Sequence, residues 1–177
     1  IGTEFARRAQ AFRPACITGV RRTVRPSDPA FTSIHAIAEL DSVLPETDLL
    51  VMALPSTAET AGILSRERIA LLPDSAFVVN VGRGTAIDQE ALCDALNAGQ
   101  LAGAALDVVV PEPLPADHPL RRAKNLLLTP HVAGNMTLGY TCDKSVQMFC
   151  DDLENYAAGR PLAHLVDRKR GCLLYTS

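Results

Sequence analysis

The chain has 177 residues, of which 47% are hydrophobic, and a formal net charge of −3 from 17 basic and 20 acidic residues. This length and hydrophobic content are enough to bury the core of a domain. The basic residues are spread along the chain and give no electrostatic footprint for nucleic acid. The longest apolar runs are far short of the ~20 residues that a membrane span needs. We therefore expect a protein that acts on small molecules.

The five cysteines form an odd set without a C-x-x-C spacing. They are Cys16, Cys93, Cys142, Cys150 and Cys172. This arrangement argues against a disulfide framework and against a zinc site, so we expect no bound metal. Free thiols are typical of a reducing compartment, and the sequence therefore favours a cytoplasmic location.

Short apolar runs alternate with helical patterns along the chain. The first pattern predicts an amphipathic helix, with Phe5, Ala9 and Phe12 at helical spacing. The next predicted elements, in order, are a strand at 15–20, a helix at 36–43, a strand at 48–54, a helix at 67–72, a strand at 76–81, a helix capped by Asp88 and stopped by Gly99, strands at 103–108 and 125–129, and a long helix at 137–158. This alternation is typical of a doubly wound α/β fold, in which helices cover both faces of a parallel sheet.

Two features near the start of the chain suit a dinucleotide. Gly2 opens the first helix, where free backbone N–H groups and the helix dipole favour a phosphate; a glycine there also allows close helix–strand packing. About 20 positions further on, a site selective for NAD carries an acidic residue, but this sequence has Arg21, Arg22 and Thr23. Guanidinium groups suit a 2′-phosphate, which favours NADP over NAD. The alternative is that these are ordinary surface arginines.

Three further segments each follow a predicted strand. Arg83 lies between two glycines, which let the backbone approach a ligand and adopt strained dihedrals, and its guanidinium can bind a carboxylate through two bonds. Glu112 follows Asp107 by five residues, and His131 follows Pro130, which restricts the residue before it to an extended conformation. A carboxylate beside an imidazole favours the protonated, proton-donating form. Each residue alone could equally be a solvated or structural side chain.

The order of these segments resembles the NAD(P)-dependent D-2-hydroxyacid dehydrogenase family. They read Asn80-Val81-Gly82-Arg83-Gly84, then Ala105-Leu106-Asp107-Val108 with Glu112-Pro113, then Thr129-Pro130-His131. The resemblance extends from residue 1 to about residue 171, is specific because three motifs agree, and is strongest to glyoxylate/hydroxypyruvate reductase-like members. Val109 and Val110 stand where relatives often have an aromatic and an acidic residue, which leaves the packing of that loop open.

The resemblance implies a role for each candidate residue. Arg83 would bind the carboxylate of a small 2-oxo acid such as glyoxylate or hydroxypyruvate, His131 would protonate its carbonyl oxygen, and Glu112 would hold the imidazole charged. The implied cofactor is NAD(P), with NADP favoured. The implied cofactor-binding residues are Ile1, Gly2, Arg21, Arg22, Leu54, Thr60, Val81, Gly82, Arg83, Asp107, His131 and Gly134.

The resemblance also implies a domain organisation. In the family, the first helix follows a strand and a G-x-G-x-x-G turn, of which Gly2 would be the third glycine. We therefore expect a Rossmann-like domain at 1–133 that lacks its first strand. Residues 134–171 would form a helix and tail that return to an absent substrate domain, and residues 172–177 would be a non-native tail. The full-length protein is expected to be a homodimer.

Two alternatives differ in function on a similar fold. Some relatives act as dinucleotide-sensing corepressors and keep the same Arg, Glu and His, so the site does not exclude this class. Another Rossmann enzyme, such as a methyltransferase, would leave Arg83, Glu112 and His131 without a purpose. The sequence therefore favours an oxidoreductase.

Overall fold

The computed structural model describes residues 1–22, 28–134, 138–167 and 172–173. Its helices are α1 (Gly2–Ala9), α2 (Leu40–Val43), α3 (Arg66–Ile69), α4 (Gln89–Ala98) and α5 (Gly139–Ala157). Its strands are β1 (Thr18–Arg21), β2 (Ser33–Ala36), β3 (Leu49–Met52), β4 (Phe77–Asn80), β5 (Gly103–Leu106), β6 (Leu126–Leu128), β7 (Val166–Asp167) and β8 (Cys172–Leu173). Thr23, residue 137 at the start of the predicted last helix, and tail residues 168–171 and 174–177 lie outside the described residues.

Four strands form a parallel sheet in the order β3-β4-β5-β6. One row of this sheet pairs Leu50 with Val78, Val78 with Ala104, and Ala104 with Leu126. β1 and β2 form a second parallel pair, and β7 and β8 a short antiparallel one. In the described part of the chain β1 pairs only with β2 and β3 only with β4, so each has one open edge. The predicted Rossmann-like arrangement of parallel strands and flanking helices is confirmed.

The core lies between one face of the four-stranded sheet and helices α2, α3 and α4. Its most deeply buried large side chains include Leu44, Leu64, Leu92, Leu96, Leu106 and Val78. The predicted limits of α4 are confirmed, because Asp88 accepts a hydrogen bond from Ala91 N at 2.9 Å and Gly99 ends the helix at a φ of 74°. This packing fixes the sheet edge that carries the site.

The opposite face of the same sheet is only partly covered by the described residues. Leu49, Phe77 and Leu127 are 50%, 50% and 62% exposed, although their strand neighbours Leu50 and Val78 belong to the core or pack on it. Successive side chains of a strand point to opposite faces, so these three share the uncovered one. The sequence could not show this, because continuous apolar strands are typical of a sheet buried on both faces.

The first and last helices are observed, but their apolar residues are arranged differently from the core helices. The predicted amphipathic helix α1 is observed, but its buried residue is Ala6, whereas Phe5 and Phe12 of the apolar pattern are exposed. The helix tightens into a 3₁₀ turn at Gln10–Phe12, which takes Phe12 out of register with α1. No residue of α5 is buried. Its predicted apolar stripe is exposed at Val146, Phe149, Cys150, Leu153 and Tyr156.

The strand β2 has no counterpart in the sequence prediction. Its four residues, Ser33 to Ala36, are all only half-buried and include polar side chains at alternate positions. Such a strand lacks the continuous apolar run that marks the others. The predicted helix at 36–43 is observed as a 3₁₀ turn, Ile37–Glu39, followed by α2.

Candidate active site

The residues predicted to be functional follow neighbouring strands of the main sheet. Leu54 follows β3, Arg83 follows β4, Asp107 follows β5 and His131 follows β6. These strands are adjacent and parallel, so their carboxyl ends meet at one edge. Ligands of open α/β sheets bind outside this edge.

The segment that carries Arg83 is anchored by the last residue of β4. Asn80 is buried, donates from Nδ2 to the Arg83 carbonyl at 3.0 Å and accepts from Gly82 N at 2.9 Å. The Arg83 side chain is exposed, and its Nη1 donates to the Gly82 carbonyl at 2.7 Å. The guanidinium borders an open cleft of about 200 Å³ that is also lined by Ser56, Thr85, Val109, Val110 and Glu112.

The glycines on either side of Arg83 are required by contacts within the chain. A Cβ on Gly82 would lie 2.6 Å from the backbone N and O of Leu54, and one on Gly84 would lie 2.5 Å from the backbone of Val109. Neither glycine adopts a positive φ. The expected strained dihedrals are therefore absent at both positions. These glycines instead let the loops that follow β3 and β5 press against the Arg83 segment.

Glu112 and His131 form a hydrogen-bonded pair. His131 Nδ1 lies 2.8 Å from Glu112 Oε2, while Glu112 Oε1 accepts from Val109 N at 3.0 Å. The bond from His131, the Val109 N–H and the charge of Arg83 hold the pKa of Glu112 below its usual value. An ionised carboxylate only accepts hydrogen bonds, so Nδ1 carries the proton and Nε2 faces away from the pair. This is the pairing that the family resemblance implies.

Asp107 anchors the loop that carries His131. It is 6% exposed, and its carboxylate accepts from Thr129 Oγ1 at 2.6 Å and from Val132 N and Ala133 N at 2.9 Å each. Burial acts to raise the pKa of Asp107, but these bonds lower it overall. Its predicted contact with the nicotinamide side of a cofactor stays a prediction, because every polar contact described for its carboxylate is to this loop or to Thr129.

The backbone at His131 adopts a left-handed conformation with a φ of 56°. Its N–H donates to the Asp107 carbonyl at 2.8 Å. Non-glycine residues seldom adopt this conformation, and it recurs at functional sites where surrounding bonds enforce it. Pro130 alone could not predict this, because a proline restricts the residue before it and not the one after.

The candidates at the end of β3 and β4 differ in their surroundings. Val81 N donates to the Met52 carbonyl at 3.0 Å, which extends the sheet by one residue. Thr60 is buried, and its hydroxyl donates to the Pro55 carbonyl at 2.6 Å and accepts from Thr57 N at 2.9 Å. The structure therefore shows Thr60 closing the loop after β3. The backbone of Leu54 lies beside Gly82, at the edge where the cofactor is predicted.

Arg21 and Arg22 lie at the end of β1. Arg21 Nη2 is 3.3 Å from Asp28 Oδ2 and 3.3 Å from Thr3 Oγ1 in the first turn of α1, and its guanidinium lies 4.8 Å from the centre of the Phe31 ring. Arg22 forms an ion pair of 3.8 Å with Glu59, in the loop after β3. These contacts place Arg21 beside the start of α1 and Arg22 beside the loop that follows β3.

Three remaining cofactor candidates are exposed. They are Ile1, Gly2 and Gly134. In the described part of the chain, no atom outside the immediate backbone lies within 4 Å of a Cβ built on Gly2 or on Gly134. Close helix–strand packing at Gly2 therefore receives no support. A phosphate contact there stays a prediction.

The other histidines have partners that the sequence does not indicate. His35 Nδ1 lies 3.5 Å from Glu39 and His164 Nδ1 lies 3.3 Å from Asp152. His118 Nδ1 accepts from Leu120 N at 3.2 Å and caps a 3₁₀ turn. None of them lies at the end of a strand of the main sheet.

The described residues contain no cluster of side chains suited to hold a metal ion. Within the same ranges, no helix is both long enough and apolar enough to cross a membrane. Sequence reasoning missed one further residue, Asn80, although a buried amide just before a G-x-G turn is a recognisable way to fix such a turn.

Comparison with known proteins identifies the family. Residues 1–133 match the family model described as D-isomer specific 2-hydroxyacid dehydrogenase, NAD binding domain. Glyoxylate/hydroxypyruvate reductase A of Klebsiella pneumoniae (strain 342) is 40% identical over 147 residues, which cover 83% of this chain and 46% of that protein. Glyoxylate/hydroxypyruvate reductase B of Pectobacterium carotovorum subsp. carotovorum (strain PC1) is 39% identical over 133 residues, covering 75% and 41%.

Solved structures of similar proteins have the same fold. A D-isomer specific 2-hydroxyacid dehydrogenase family protein from Aeromonas salmonicida subsp. salmonicida A449 has a TM-score of 0.84 and 34% identity, covering 94% of this chain and 52% of that one. The dehydrogenase from Xanthobacter autotrophicus Py2, in complex with NADPH and MES, has a TM-score of 0.78 and 35% identity, covering 87% and 62%. The chain spans about half the length of the curated relatives it matches. It belongs to the D-isomer specific 2-hydroxyacid dehydrogenase family and matches its NAD-binding domain.

Proposed function

We propose that this chain is the cofactor-binding part of an NAD(P)-dependent oxidoreductase that interconverts a small 2-oxo acid and a D-2-hydroxy acid, of the glyoxylate or hydroxypyruvate type. The observation that carries the proposal is the 2.8 Å pair between His131 and Glu112, at the same sheet edge as the exposed guanidinium of Arg83. A cation and a proton donor at one edge are the two groups that a 2-oxo acid requires.

Arg83 is the group that binds the carboxylate of the substrate. Its bond to the Gly82 carbonyl uses one of the five N–H donors of a guanidinium, which leaves a planar fork for two parallel bonds. Because Asn80 fixes the backbone on both sides of the turn, the guanidinium leaves the sheet from a fixed point. A substrate whose carboxylate is held there has its neighbouring 2-oxo carbon oriented for reaction.

His131 is the acid that protonates the carbonyl oxygen during reduction. Nδ1 keeps its proton, which it donates in the hydrogen bond to Glu112. Nε2 is therefore the nitrogen that exchanges a proton with the substrate oxygen. The hydride comes from the reduced nicotinamide when the cofactor is bound. Glu112 stabilises the imidazolium before transfer, and Asp107 holds the His131 backbone through its carbonyl. In the oxidation direction the same Nε2 accepts the proton.

The residues at the cofactor end fit a dinucleotide with a 2′-phosphate. Arg21 lies between the end of β1 and the first turn of α1, where such folds place the adenosine ribose. The chain provides no carboxylate at positions 21 and 22 to bind a free 2′-hydroxyl. We infer a preference for NADP over NAD, and a solved relative in complex with NADPH supports it.

The remaining parts of the proposal concern organisation. Residues 1–133 form the dinucleotide-binding domain, while 134–171 return to a substrate-binding domain, which is supported by the uncovered apolar side chains of α5. Residues 172–177 are proposed to be a non-native tail, of which Cys172 and Leu173 pair with β7. The whole enzyme is proposed to be a cytoplasmic homodimer.

The decisive test is turnover by the whole enzyme. NADPH oxidation should be followed by its absorbance with glyoxylate, hydroxypyruvate and pyruvate as separate substrates, and the chiral products of hydroxypyruvate and pyruvate should be assigned as the D isomers. We expect turnover with at least one of them. Dinucleotide binding by calorimetry without any turnover would contradict the proposal and would favour a dinucleotide-sensing binding protein.

A further inference from the structure

The side chain of Gln89 is bonded in both directions to the backbone of one residue in a different segment. Gln89 Nε2 donates to the Val110 carbonyl at 2.6 Å, and Val110 N donates to Gln89 Oε1 at 2.8 Å. A carboxamide can form such a pair because it carries a donor and an acceptor side by side, as a peptide group does. Val110 is thus bonded as if it faced a neighbouring strand.

This bonded pair joins the two arms of the site. Gln89 is the first residue of α4, six residues after Arg83, and Asp88 caps the helix beside it. Val110 lies in the loop after β5, two residues before Glu112. Gly84 packs so closely on the backbone of Val109, in the same region, that a Cβ would not fit between them. The Arg83 segment and the Glu112 loop are therefore held together at two adjacent points.

Side-chain packing fixes the two ends of this loop, where Val108 and Leu114 are buried and Val109 packs against the core, but not the part between them. Val110 is 45% exposed, and the following residues 111–113 are exposed as well. This middle part is held by hydrogen bonds between backbone groups and side chains, from Val110 N to Gln89 Oε1 and from Val109 N to Glu112 Oε1. Loss of the Gln89 amide would free the part of the chain that aims Glu112 at His131.

We propose that Gln89 is a positioning residue that fixes Glu112 against His131 through the backbone of Val110. The proposal rests on the function proposed above, because it assigns Gln89 to the same reaction. Gln89 does not line the cleft beside Arg83, so it acts on the reaction through another residue. Its effect reaches the proton donor through the loop and should therefore appear in the chemical step and not in cofactor binding.

The test compares three variants of the whole enzyme with the wild type. Gln89→Ala removes both bonds. Gln89→Glu keeps the length of the side chain and can accept from Val110 N, but an ionised carboxylate cannot donate to the Val110 carbonyl. Glu90→Gln changes the exposed neighbouring residue of α4 and is the matched control.

The proposal predicts a graded loss of kcat. Misplacing a catalytic group by about 1 Å can cost on the order of 10²-fold in rate. We expect kcat to fall by about 10- to 100-fold in Gln89→Ala, by a smaller factor in Gln89→Glu, and not at all in Glu90→Gln. The KM for the cofactor should stay within about twofold in all three, since the change acts on proton transfer.

A spectroscopic measurement separates positioning from a general loss of structure. The Nδ1 proton between His131 and Glu112 should give a low-field ¹H NMR signal that is absent in His131→Gln. This signal should shift or broaden in Gln89→Ala and not in Glu90→Gln. An unchanged signal, or equal kcat in Gln89→Ala and wild type, would overturn the proposal. If the wild type reduces no 2-oxo acid, the proposed function fails, but the NMR signal still shows whether Gln89 positions the pair. If Gln89→Ala does not fold, the signal and kcat of Gln89→Glu are compared with those of the wild type instead.

Discussion

The two groups of predicted site residues, at the ends of β4 to β6 and at the end of β1, are held in different ways. At β4 to β6 the supporting contacts involve backbone groups: Asn80 bonds the Arg83 turn, Asp107 bonds two N–H groups after His131, and Gln89 bonds Val110. At β1 the contacts of Arg21 are between side chains, each at 3.3 Å, together with the Phe31 ring.

This difference has an energetic consequence. A buried carboxylate or amide that satisfies backbone groups leaves unpaired donors when it is removed, which is costly. Half-exposed ion pairs contribute about 0–1 kcal/mol each and are screened by salt. We therefore expect changes at the β4 to β6 edge to be severe and changes at the β1 end to alter selectivity with little loss of stability.

The largest effect is expected at the proton donor. His131→Gln replaces the titratable imidazole by a neutral amide of similar size. The loop bonded to Asp107 should therefore stay in place. Loss of a positioned acid costs about 10²–10⁴-fold in rate. Steady-state kcat of the whole enzyme should fall by this factor while the circular dichroism spectrum is unchanged. Near-normal kcat would remove His131 from the mechanism.

Two glycines, one from each region, provide the next comparison. A Cβ on Gly84 would meet the backbone of Val109 at 2.5 Å, whereas one on Gly2 would meet nothing within 4 Å among the described residues. Backbone cannot move aside as a flexible side chain can, so Gly84→Ala should lower the free energy of unfolding by about 1–3 kcal/mol or more. Gly2→Ala should be neutral or slightly stabilising, because alanine is the better helix former.

Urea unfolding of the two glycine variants beside the wild type measures this difference. Equal midpoints for Gly84→Ala and the wild type would show that the loop after β5 adapts freely. Such a result would also weaken the role assigned to Gln89, since both contacts hold the same loop.

The sequence predicts the β4 to β6 edge well because its information is local. Each candidate residue follows a strong apolar run within a few positions, so the end of the strand fixes where the residue lies. The pairing of Glu112 with His131 could be predicted only through the family resemblance, because the two residues come from different loops. The sequence does not show the left-handed backbone of His131 or the bonds of Asn80, Asp107 and Gln89, which depend on loops that meet in space.

The region around β1 and β2 is predicted less well for a physical reason. β2 is half-buried with alternating polar residues, and the partners of Arg21 come from α1 and from the segment that leads into β2. In α1 the buried residue is the small Ala6, while the larger Phe5 and Phe12 are exposed, which their helical spacing does not indicate. Where few side chains are buried, hydrophobic patterns carry little information.

The contribution of Asp107 to the free energy of unfolding should depend on pH. Asp107→Asn keeps the shape of the side chain but places a donor against an N–H group of Val132 or Ala133. The free energy of unfolding should fall by about 2 kcal/mol at neutral pH. Because the folded pKa of Asp107 is lowered, its contribution is complete above the unfolded value of about 3.9 and is lost as the pH falls through the lowered folded value.

Urea titrations at a series of pH values should therefore show a constant gap between wild type and Asp107→Asn down to about pH 4, and a narrowing gap below it. Asp117→Asn, which changes an exposed aspartate, is the matched control and should show no gap. A gap that widens on acidification would contradict the assigned direction of the pKa.

The smallest effect is expected at the end of β1, where only selectivity should change. Arg21→Asp replaces a guanidinium that suits a 2′-phosphate by a carboxylate that suits a 2′-hydroxyl, so the ratio of kcat/KM for NADPH to that for NADH should fall by an amount equivalent to about 1–3 kcal/mol. Arg66→Asp, at an arginine of α3 that pairs with Asp94, is the control and should leave the ratio unchanged. Salt should reduce the preference of the wild type, since these contacts are partly exposed. A wild type that uses both cofactors equally well would show that Arg21 and Arg22 are ordinary surface residues without a role in cofactor selectivity.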